Sequence, residues 1–149
     1  LDFSKFGQLI ALTPNDQINS LACKFLSAEL GAAKVYRLVS KKEQKLTTKQ
    51  QPKHLLMGGG DNSFKVLKGS IKKSPEIHTL ILENKDELDD FLKEEQETVL
   101  GLFILNQSTK YATPISKHDI QVTKGDKLAY IKKSSPAQLK QTLEELENE

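Results

Sequence analysis

Apolar and polar positions near the start of the chain predict a strand that leads directly into a helix. Residues 9–12 (LIAL) are all apolar, which is typical of a short strand buried on both faces of a sheet. The next residues favour a helix start, because Thr13 can act as its N-cap and Pro14 fits its first position. Asp16, three residues after Thr13, completes a capping box. We therefore expect the first helix to begin at this junction.

A helical repeat of apolar residues follows the junction. Its members recur every three or four positions: Ile18, Leu21, Ala22, Phe25, Leu26 and Leu30. Gly31 is a typical helix end, and residues 34–39 (KVYRLV) are rich in strand-forming side chains. Two strands joined by a helical crossover are expected to be parallel. The first forty residues therefore predict a strand–helix–strand unit.

A polar stretch separates this unit from the rest of the chain. Residues 41–53 are rich in lysine and glutamine, and Leu46 is their only large apolar side chain. A loop of this length without apolar periodicity is uncommon inside a compact domain. We interpret the stretch as a linker or a long surface loop, and we place a domain boundary there.

The second half of the chain mixes helices with strands in a different order. Its predicted elements are a helix capped at Asp61, Asn62 or Ser63, strands at 77–82, 99–105, 111–115 and 127–132, and a helix at 85–96. Pro114 interrupts one strand and therefore predicts an edge position for it. Ser135 and Pro136 begin a final helix as N-cap and first residue, and its apolar stripe comprises Leu139, Leu143 and Leu146.

These elements predict an α/β chain, in which a partial Rossmann-like strand–helix–strand unit is followed by a small α+β domain. The predicted boundaries are residues 1–40 for the first unit, 41–53 for the polar linker, 54–133 for the α+β domain and 134–149 for the C-terminal helix. A lone strand–helix–strand unit does not make a stable sheet. Its strands must pair with strands elsewhere in the chain or outside it.

Composition and charge narrow the function classes. The chain has 149 residues and a net charge of +2, from 22 basic and 20 acidic side chains. This balance disfavours nucleic acid as a partner, and so does the presence of a single arginine, Arg37. One cysteine, Cys23, precludes an internal disulfide and fits a reducing compartment, where we expect it to be a small buried side chain. No apolar run approaches the roughly 20 residues that span a bilayer.

The sequence predicts no catalytic residue and no metal site. Its three histidines, His54, His78 and His118, are far apart and lack a second ligand at helical or hairpin spacing. Residues 58–60 are three adjacent glycines, which favour a flexible joint over a dinucleotide-binding fingerprint. The acidic residues between 83 and 97 alternate with lysines, as on a solvated helix face.

The strand-to-helix junction is the candidate binding site. At the carboxyl end of a parallel strand, free helix N–H groups favour anions or polar ligand atoms. Thr13, Asn15, Asp16 and Asn19 line that edge, and they are the candidate cofactor-binding residues. Helix capping by Thr13 and Asp16 is the alternative role for this group.

The junction also resembles a known family. The run Ala11-Leu12-Thr13, followed by Asn15-Asp16 and then Asn19, resembles the pattern alT-x-nDe-x-Nl-x-a of RCK (TrkA-N) regulators of potassium channels and transporters. The form ALT-x-ND-x-x-N-x-LA with a following VY-x-L strand is most similar to the cytosolic tail of bacterial sodium/proton antiporters. Residues 54–58, 99–105 and 125–128 look like weaker motifs of the second domain in that tail. The resemblance covers most of residues 7–131.

The resemblance implies a cytosolic regulatory or assembly domain of a membrane antiporter that exchanges sodium or potassium for protons. Such a domain does not itself transport ions. It lies on the cytoplasmic face of the bacterial inner membrane, joins a transmembrane domain of the same parent chain and forms a homodimer. The resemblance implies nucleotides or cations as effectors, or no effector at all, as in some tails of this class. The family's glycine-rich phosphate loop, which a nucleotide effector would use, is absent from this sequence. The chain begins at Leu1 and is interpreted as a piece of a longer protein.

Two other functions fit the residues. One is a fragment of a nicotinamide-dependent oxidoreductase whose strand-end loop contacts the cofactor, which requires a glycine fingerprint and a catalytic acid or base near Thr13. The other is a stand-alone soluble interaction module without a ligand. The sequence that precedes Leu1 would discriminate among the three functions. Apolar membrane spans would indicate the antiporter, a glycine fingerprint would indicate a nucleotide-binding protein, and a nearby initiator methionine would indicate the interaction module.

Overall fold

The computed structural model describes residues 5–38, 41–46, 64–116 and 120–148. They form a mixed α/β structure, as the sequence predicts. The chain divides into two compact units. Unit 1 comprises residues 1–64 and 116–118, and unit 2 comprises residues 65–115 and 119–149.

Unit 1 contains the predicted strand–helix–strand arrangement. Its elements are β1 (Leu9–Ala11), α1 (Asp16–Leu30), a short 3₁₀ turn (Ala32–Lys34), β2 (Val35–Arg37) and α2 (Lys41–Gln44). The two strands are parallel, with Leu9 opposite Val35 and Ala11 opposite Arg37. Gly31 ends α1 with a positive φ of 89°, which glycine adopts without steric cost. The parallel pairing and the helix end are therefore confirmed.

One core cluster of unit 1 lies between α1 and the two strands. Ala11, Cys23 and Val35 are its buried members, and the partly buried side chains that pack against them are Leu9, Leu26 and Leu30. Tyr36 and Leu38 are buried as well. Cys23 lies on the face of α1 that packs against the strands, where a small side chain allows close approach. The prediction that Cys23 is a buried structural residue is confirmed.

Two sequence predictions for unit 1 need correction. The N-cap of α1 is Asn15, not Thr13, so Asp16 is the first helical residue and the Thr13–Asp16 capping box does not form. Asn15 has the stronger capping geometry because its side chain accepts hydrogen bonds from both Gln17 and Ile18. In addition, α2 occupies the start of the stretch that was interpreted as a linker or loop.

Unit 2 contains a four-stranded antiparallel sheet with three helices. Its elements are α3 (Phe64–Lys73), β3 (His78–Ile81), α4 (Lys85–Glu94), β4 (Val99–Leu105), β5 (Ala112–Pro114), β6 (Lys127–Lys132) and α5 (Pro136–Glu147). The first residue of α3, Phe64, is assigned to unit 1. The strand order is β3-β6-β4-β5, so β3 and β5 are the edges. The predicted edge position of the strand that contains Pro114 is confirmed.

One core cluster of unit 2 lies between the sheet and α4. Its buried members are Leu82, Leu88, Ile104, Ile115, Ile120 and Leu128. Partly buried side chains extend it: Leu80, Phe91, Leu92, Val122 and Tyr130. Other apolar side chains of unit 2 are also buried but lie outside this cluster, among them Leu67, Leu100, Leu102 and Ile131. An irregularity in the pairing of β4 with β6 lies between Gly101 and Phe103. Gly101 packs closely against this core: a Cβ atom at this position would lie 3.0 Å from the Leu92 side chain.

The C-terminal helix α5 begins as the sequence predicts. Ser135 caps it, Gln138 completes a capping box and Pro136 is its first residue. Before the helix, the Ser134 backbone N–H donates to the Ser70 hydroxyl of α3 at 3.3 Å. Leu139 lies so close to Gly69 that a Cβ there would be 2.8 Å from it. These contacts connect α5 to α3.

Several sequence predictions lie outside the described residues. They concern the glycines at 58–60, the helix caps at 61–63, the histidines His54 and His118, and the part of the predicted linker after residue 46.

Candidate functional site

Thr13 and Asn19 form a closed hydrogen-bonded pair at the carboxyl end of β1. The Asn19 Oδ1 atom accepts hydrogen bonds from the Thr13 backbone N–H at 3.0 Å and from the Thr13 hydroxyl at 2.7 Å. Its Nδ2 atom donates to the Thr13 carbonyl oxygen at 2.8 Å. Asn19 is only 1% exposed, so its amide group serves the backbone of the loop. We call this arrangement the Thr13–Asn19 clasp.

Asn15 and Asp16 complete the junction on its exposed side. The Asn15 Oδ1 atom accepts from the Gln17 N–H at 3.0 Å and from the Ile18 N–H at 3.1 Å. The Asn19 N–H donates to the Asn15 carbonyl oxygen at 3.0 Å. These three N–H groups belong to the helix start that the sequence predicts as an anion site. Their partners are therefore within the chain.

The structure brings all four candidate residues together, but it gives them different surroundings. Asn19 is buried and Thr13 is half-buried, with the hydrogen-bonding atoms of both side chains used inside the junction. Asn15 and Asp16 are exposed. A ligand at this edge would meet the Asn15 amide and the Asp16 carboxylate, and the carboxylate disfavours a phosphate there. Binding of a nucleotide at the four residues stays a prediction.

A buried ion pair lies after β2, at the same end of the parallel strands. Arg37 donates from both terminal nitrogens to the Glu43 carboxylate, at 2.7 and 2.5 Å. The Arg37 side chain is 7% exposed and the Glu43 side chain 17%. Hydrogen bonding to Glu43 raises the pKa of the Arg37 guanidinium group, burial opposes this rise, and the negative charge of Glu43 supports it.

Sequence analysis missed this pair because Glu43 lies in the stretch interpreted as a linker. The available signal was the single arginine in a chain that otherwise uses lysine. Arginine is the usual choice for a buried, two-pronged contact with a carboxylate. Here the pair attaches α2 to the end of β2.

The Cys23 thiol is a structural group in this environment. Its sulfur donates to the Tyr36 carbonyl oxygen at 3.4 Å. Burial raises the pKa of the Cys23 thiol, and the positive charge of Arg37 offsets part of that rise. A protonated, buried thiol is a poor nucleophile. Cys23 therefore packs and hydrogen-bonds within the core of unit 1.

Helix α1 presents a second apolar face that does not pack in the core. Ile18 is 55% exposed, and Leu21 and Phe25 are each 67% exposed. These residues are three or four positions apart, so they lie on one side of the helix. The sequence predicts a single apolar stripe on α1, whereas the structure divides it between core and surface. We call Ile18, Leu21 and Phe25 the α1 surface face.

Unit 2 contains a separate polar centre at Asp126, which has no exposed surface. Its carboxylate accepts from the Gln107 N–H at 3.0 Å and from the Thr123 N–H at 2.9 Å, with the Asn106 side-chain amide at 3.4 Å. Burial alone would raise the pKa of the Asp126 carboxyl group, but these hydrogen bonds lower it below its ordinary value. The carboxylate thus connects the turn after β4 to the turn before β6.

The described residues contain no group of three or more His, Cys, Asp and Glu side chains that could hold a metal ion. Within the same residues, no helix combines the length and apolar character needed to cross a membrane. Comparison of the chain with protein-family models, with curated protein sequences and with solved structures found no match. Its function must therefore be argued from its own residues.

Proposed function

We propose that this chain is a cytosolic regulatory and assembly region of a membrane antiporter that exchanges sodium or potassium for protons. It does not itself move ions. It joins a transmembrane domain of the same parent protein at the cytoplasmic face of the bacterial inner membrane, and it pairs with a second copy of itself. The antiporter class rests on the resemblance of residues 11–19 to the tails of such transporters. The assembly role rests on the structure of unit 1.

The α1 surface face is the observation that carries the assembly role. Three large apolar side chains on one side of a helix favour burial against a partner. The two-stranded sheet adds to this argument, because β1 and β2 pair only with each other among the described residues. The outer edges of a sheet are generally paired or covered in stable proteins.

The Thr13–Asn19 clasp supports assembly over nucleotide sensing. A binding edge needs donors and acceptors that are available to the ligand, whereas the helix N–H groups of Gln17, Ile18 and Asn19 already have partners in the chain. The junction therefore acts first as a rigid support for α1. Its exposed residues, Asn15 and Asp16, are the remaining places for an effector contact.

The first experiment measures the oligomeric state by light scattering. We expect the purified chain to form a dimer and a Leu21→Ser/Phe25→Ser variant to be monomeric with unchanged circular dichroism. Ile71→Ser is the matched control, because Ile71 is also exposed, at 45%, but lies on α3 of unit 2. A monomeric chain, or a dimer that the double variant leaves intact, would contradict assembly through α1.

The antiporter class has its own experiment. Everted membrane vesicles from cells that express the parent protein should show proton efflux on addition of sodium or potassium. The α1 double variant should change the pH dependence or rate of this exchange without abolishing it. A parent protein without cation/proton exchange would disprove the transporter assignment. It would leave the interaction module as the better interpretation if the dimer persists.

A further inference from the structure

Strand β3 has an outer edge that is open for pairing. In the part of the chain that the structure describes, β3 pairs only with β6. The Leu82 N–H donates to the Asp126 carbonyl oxygen at 2.8 Å. This bond shows which residues of β3 direct their backbone groups toward β6. In an antiparallel ladder alternate residues face the neighbouring strand. Leu80 therefore directs its backbone groups toward β6, and Thr79 and Ile81 direct theirs toward the open edge.

Both sides of this edge carry apolar surface. On one side Ile77 and Ile81 are 65% and 60% exposed. On the other side a groove of about 510 Å³ lies between β3 and α4, with Leu80 and Phe91 among the residues that line it. Long apolar edge strands are normally protected by charge, by proline or by a covering segment. Within the described residues, this edge combines backbone groups that lack a partner strand with apolar side chains on both faces.

The rim of the groove is acidic. Asp86, Asp90 and Glu94 line it from α4 at successive four-residue intervals. Glu87 also lines it, but its carboxylate accepts a hydrogen bond from the Glu83 N–H at 2.7 Å and belongs to the start of the helix. Three carboxylates beside the apolar side chains of Leu80 and Phe91 favour ligand side chains with an aliphatic stem and a cationic end.

We propose that β3 and α4 together bind an extended lysine-rich peptide segment of another protein by β-strand addition. The segment pairs with the outward backbone groups of Thr79 and Ile81. Its alternate side chains fall on opposite faces of the extended sheet. Lysine stems on one face cover Leu80 and Phe91 while their ammonium groups meet the acidic rim. Apolar side chains on the other face contact Ile77 and Ile81.

The proposed partner follows from charge and pattern. An acidic peptide would place like charges beside Asp86, Asp90 and Glu94. A purely apolar strand would leave these carboxylates without a partner. A peptide in which lysine alternates with a β-branched apolar residue places its ammonium groups at the acidic rim and its apolar side chains against Ile77 and Ile81. This inference concerns unit 2 and does not depend on the assembly role of α1.

The experiment uses a synthetic probe with blocked ends and the sequence Lys-Val-Lys-Val-Lys-Val. Titration into the full chain, followed by calorimetry and by amide hydrogen exchange, should give saturable binding. The Thr79 and Ile81 amides should gain protection on binding. The affinity should fall as salt rises from about 20 to 500 mM, because the Debye length shortens from tens of ångströms to a few. A Glu-Val-Glu-Val-Glu-Val peptide is the control probe and should not bind.

Two sets of variants separate charge from backbone pairing. Asp86→Asn/Asp90→Asn/Glu94→Gln should weaken binding by about tenfold at low salt, which is the sum of three exposed charge contacts. Asp89→Asn is its control, because Asp89 is an exposed α4 residue that does not line the groove. Thr79→Pro removes an outward N–H and should abolish binding, whereas Thr79→Val keeps that N–H and should retain it.

Four results would overturn the proposal. They are no binding of the lysine probe, equal binding of the glutamate probe, binding without protection at Thr79 and Ile81, and protection of those amides in the unliganded chain. The last result would assign the edge to a second copy or to another segment of this chain. If Thr79→Pro fails to fold, the exchange data and the charge variants still decide the outcome.

Discussion

The two units solve the problem of a small core in different ways. Unit 1 buries Ala11, Cys23 and Val35 between α1 and a parallel strand pair and leaves a row of apolar side chains on the outside of α1. Among the described residues, unit 2 buries more large apolar side chains around an antiparallel sheet, with Leu82 and Leu128 entirely buried. Because hydrophobic stabilisation scales with the apolar area removed from water, unit 2 is the better equipped to be stable alone.

The two units also differ in the buried polar groups that hold their loops. Unit 1 uses a neutral clasp between Thr13, in the loop after β1, and Asn19, in the first turns of α1. Unit 2 uses the Asp126 carboxylate, which joins turns that are about twenty residues apart in sequence. A buried carboxylate is expensive to desolvate and is tolerated here because several donors surround it. The clasp therefore fixes one strand-to-helix junction, whereas Asp126 joins two turns that are distant in sequence.

The largest expected effect is in the core of unit 2. Leu128→Ala should lower the free energy of unfolding of that unit by about 3 kcal/mol, because it removes a fully buried side chain and leaves a cavity. Cys23→Ala in unit 1 should cost about 1 kcal/mol, since it removes only a small group. Amide hydrogen exchange resolves the two units separately. Equal losses would show that the two cores are energetically alike.

The second prediction concerns the charged anchor. Asp126→Asn should cost about 2 kcal/mol near neutral pH, because an amide nitrogen replaces an oxygen that accepts hydrogen bonds. Urea unfolding measures the loss. The control is Asp89→Asn, which makes the same change at an exposed carboxylate on α4. A loss as small as that of the control would mean that the hydrogen bonds to Asp126 add little.

The pH dependence of the same anchor is the third prediction. The folded-state pKa of Asp126 lies below its unfolded value, so the unfolded chain binds a proton first as the pH falls. The stabilisation is present above about pH 4 and is lost progressively as the pH falls through the folded pKa. The wild-type chain should therefore lose more stability between pH 5 and pH 2.5 than Asp126→Asn does. Parallel curves for the two proteins would exclude this linkage.

The fourth prediction tests the neutral clasp. Asn19→Ala should cost about 1.5 kcal/mol, since it leaves the Thr13 N–H and carbonyl groups without their partner. The exposed neighbour Gln17→Ala should change stability by less than about 0.5 kcal/mol. Thermal unfolding followed by circular dichroism of α1 checks both. If the two variants are equally stable, the clasp is not what holds the junction.

The smallest expected effect is at the helix cap. Asn15→Ala should cost about 1 kcal/mol by removing the acceptor for Gln17 and Ile18, and Asn15→Asp should restore most of it. The same pair of variants tests the predicted effector site by calorimetric titration with AMP, ATP, NAD and NADH. Nucleotide binding that both variants weaken would place Asn15 in an effector contact. Binding to neither the wild type nor the variants would contradict the predicted cofactor site.

The regular elements could be predicted because their signals are local. The strands Val99–Leu105 and Lys127–Lys132 have the predicted bounds, since each is an apolar run between turn residues. The start of α5 was also predictable, because Ser135, Pro136 and Gln138 form a complete capping signal. The start of α1 was not, because Thr13 and Asn15 are both good caps and only the contact of Thr13 with Asn19 decides between them.

The candidate site was harder to predict than the fold. Sequence periodicity places Ile18, Leu21 and Phe25 on α1, but it does not say which part of a broad apolar stripe faces the strands. Asn19 lies on the same helix and takes a core position because its amide meets the Thr13 backbone. The Arg37–Glu43 pair joins β2 to α2, and its only signal in the sequence was the single arginine. The Asp126 carboxylate joins two turns, and no residue pattern along the chain indicates that pairing.

The Asp126 carboxylate also has a consequence for the order of folding. The bond from Thr123 is local to the turn before β6, whereas the bond from Gln107 can form only when the turn after β4 has reached that turn. We expect this long-range bond to form after the transition state for folding, and φ-value measurement tests that hypothesis. Changes at Asp126 should therefore accelerate unfolding while leaving the folding rate almost unaltered. The Asp126 carboxylate would then slow the unfolding of unit 2 without affecting how fast its sheet assembles.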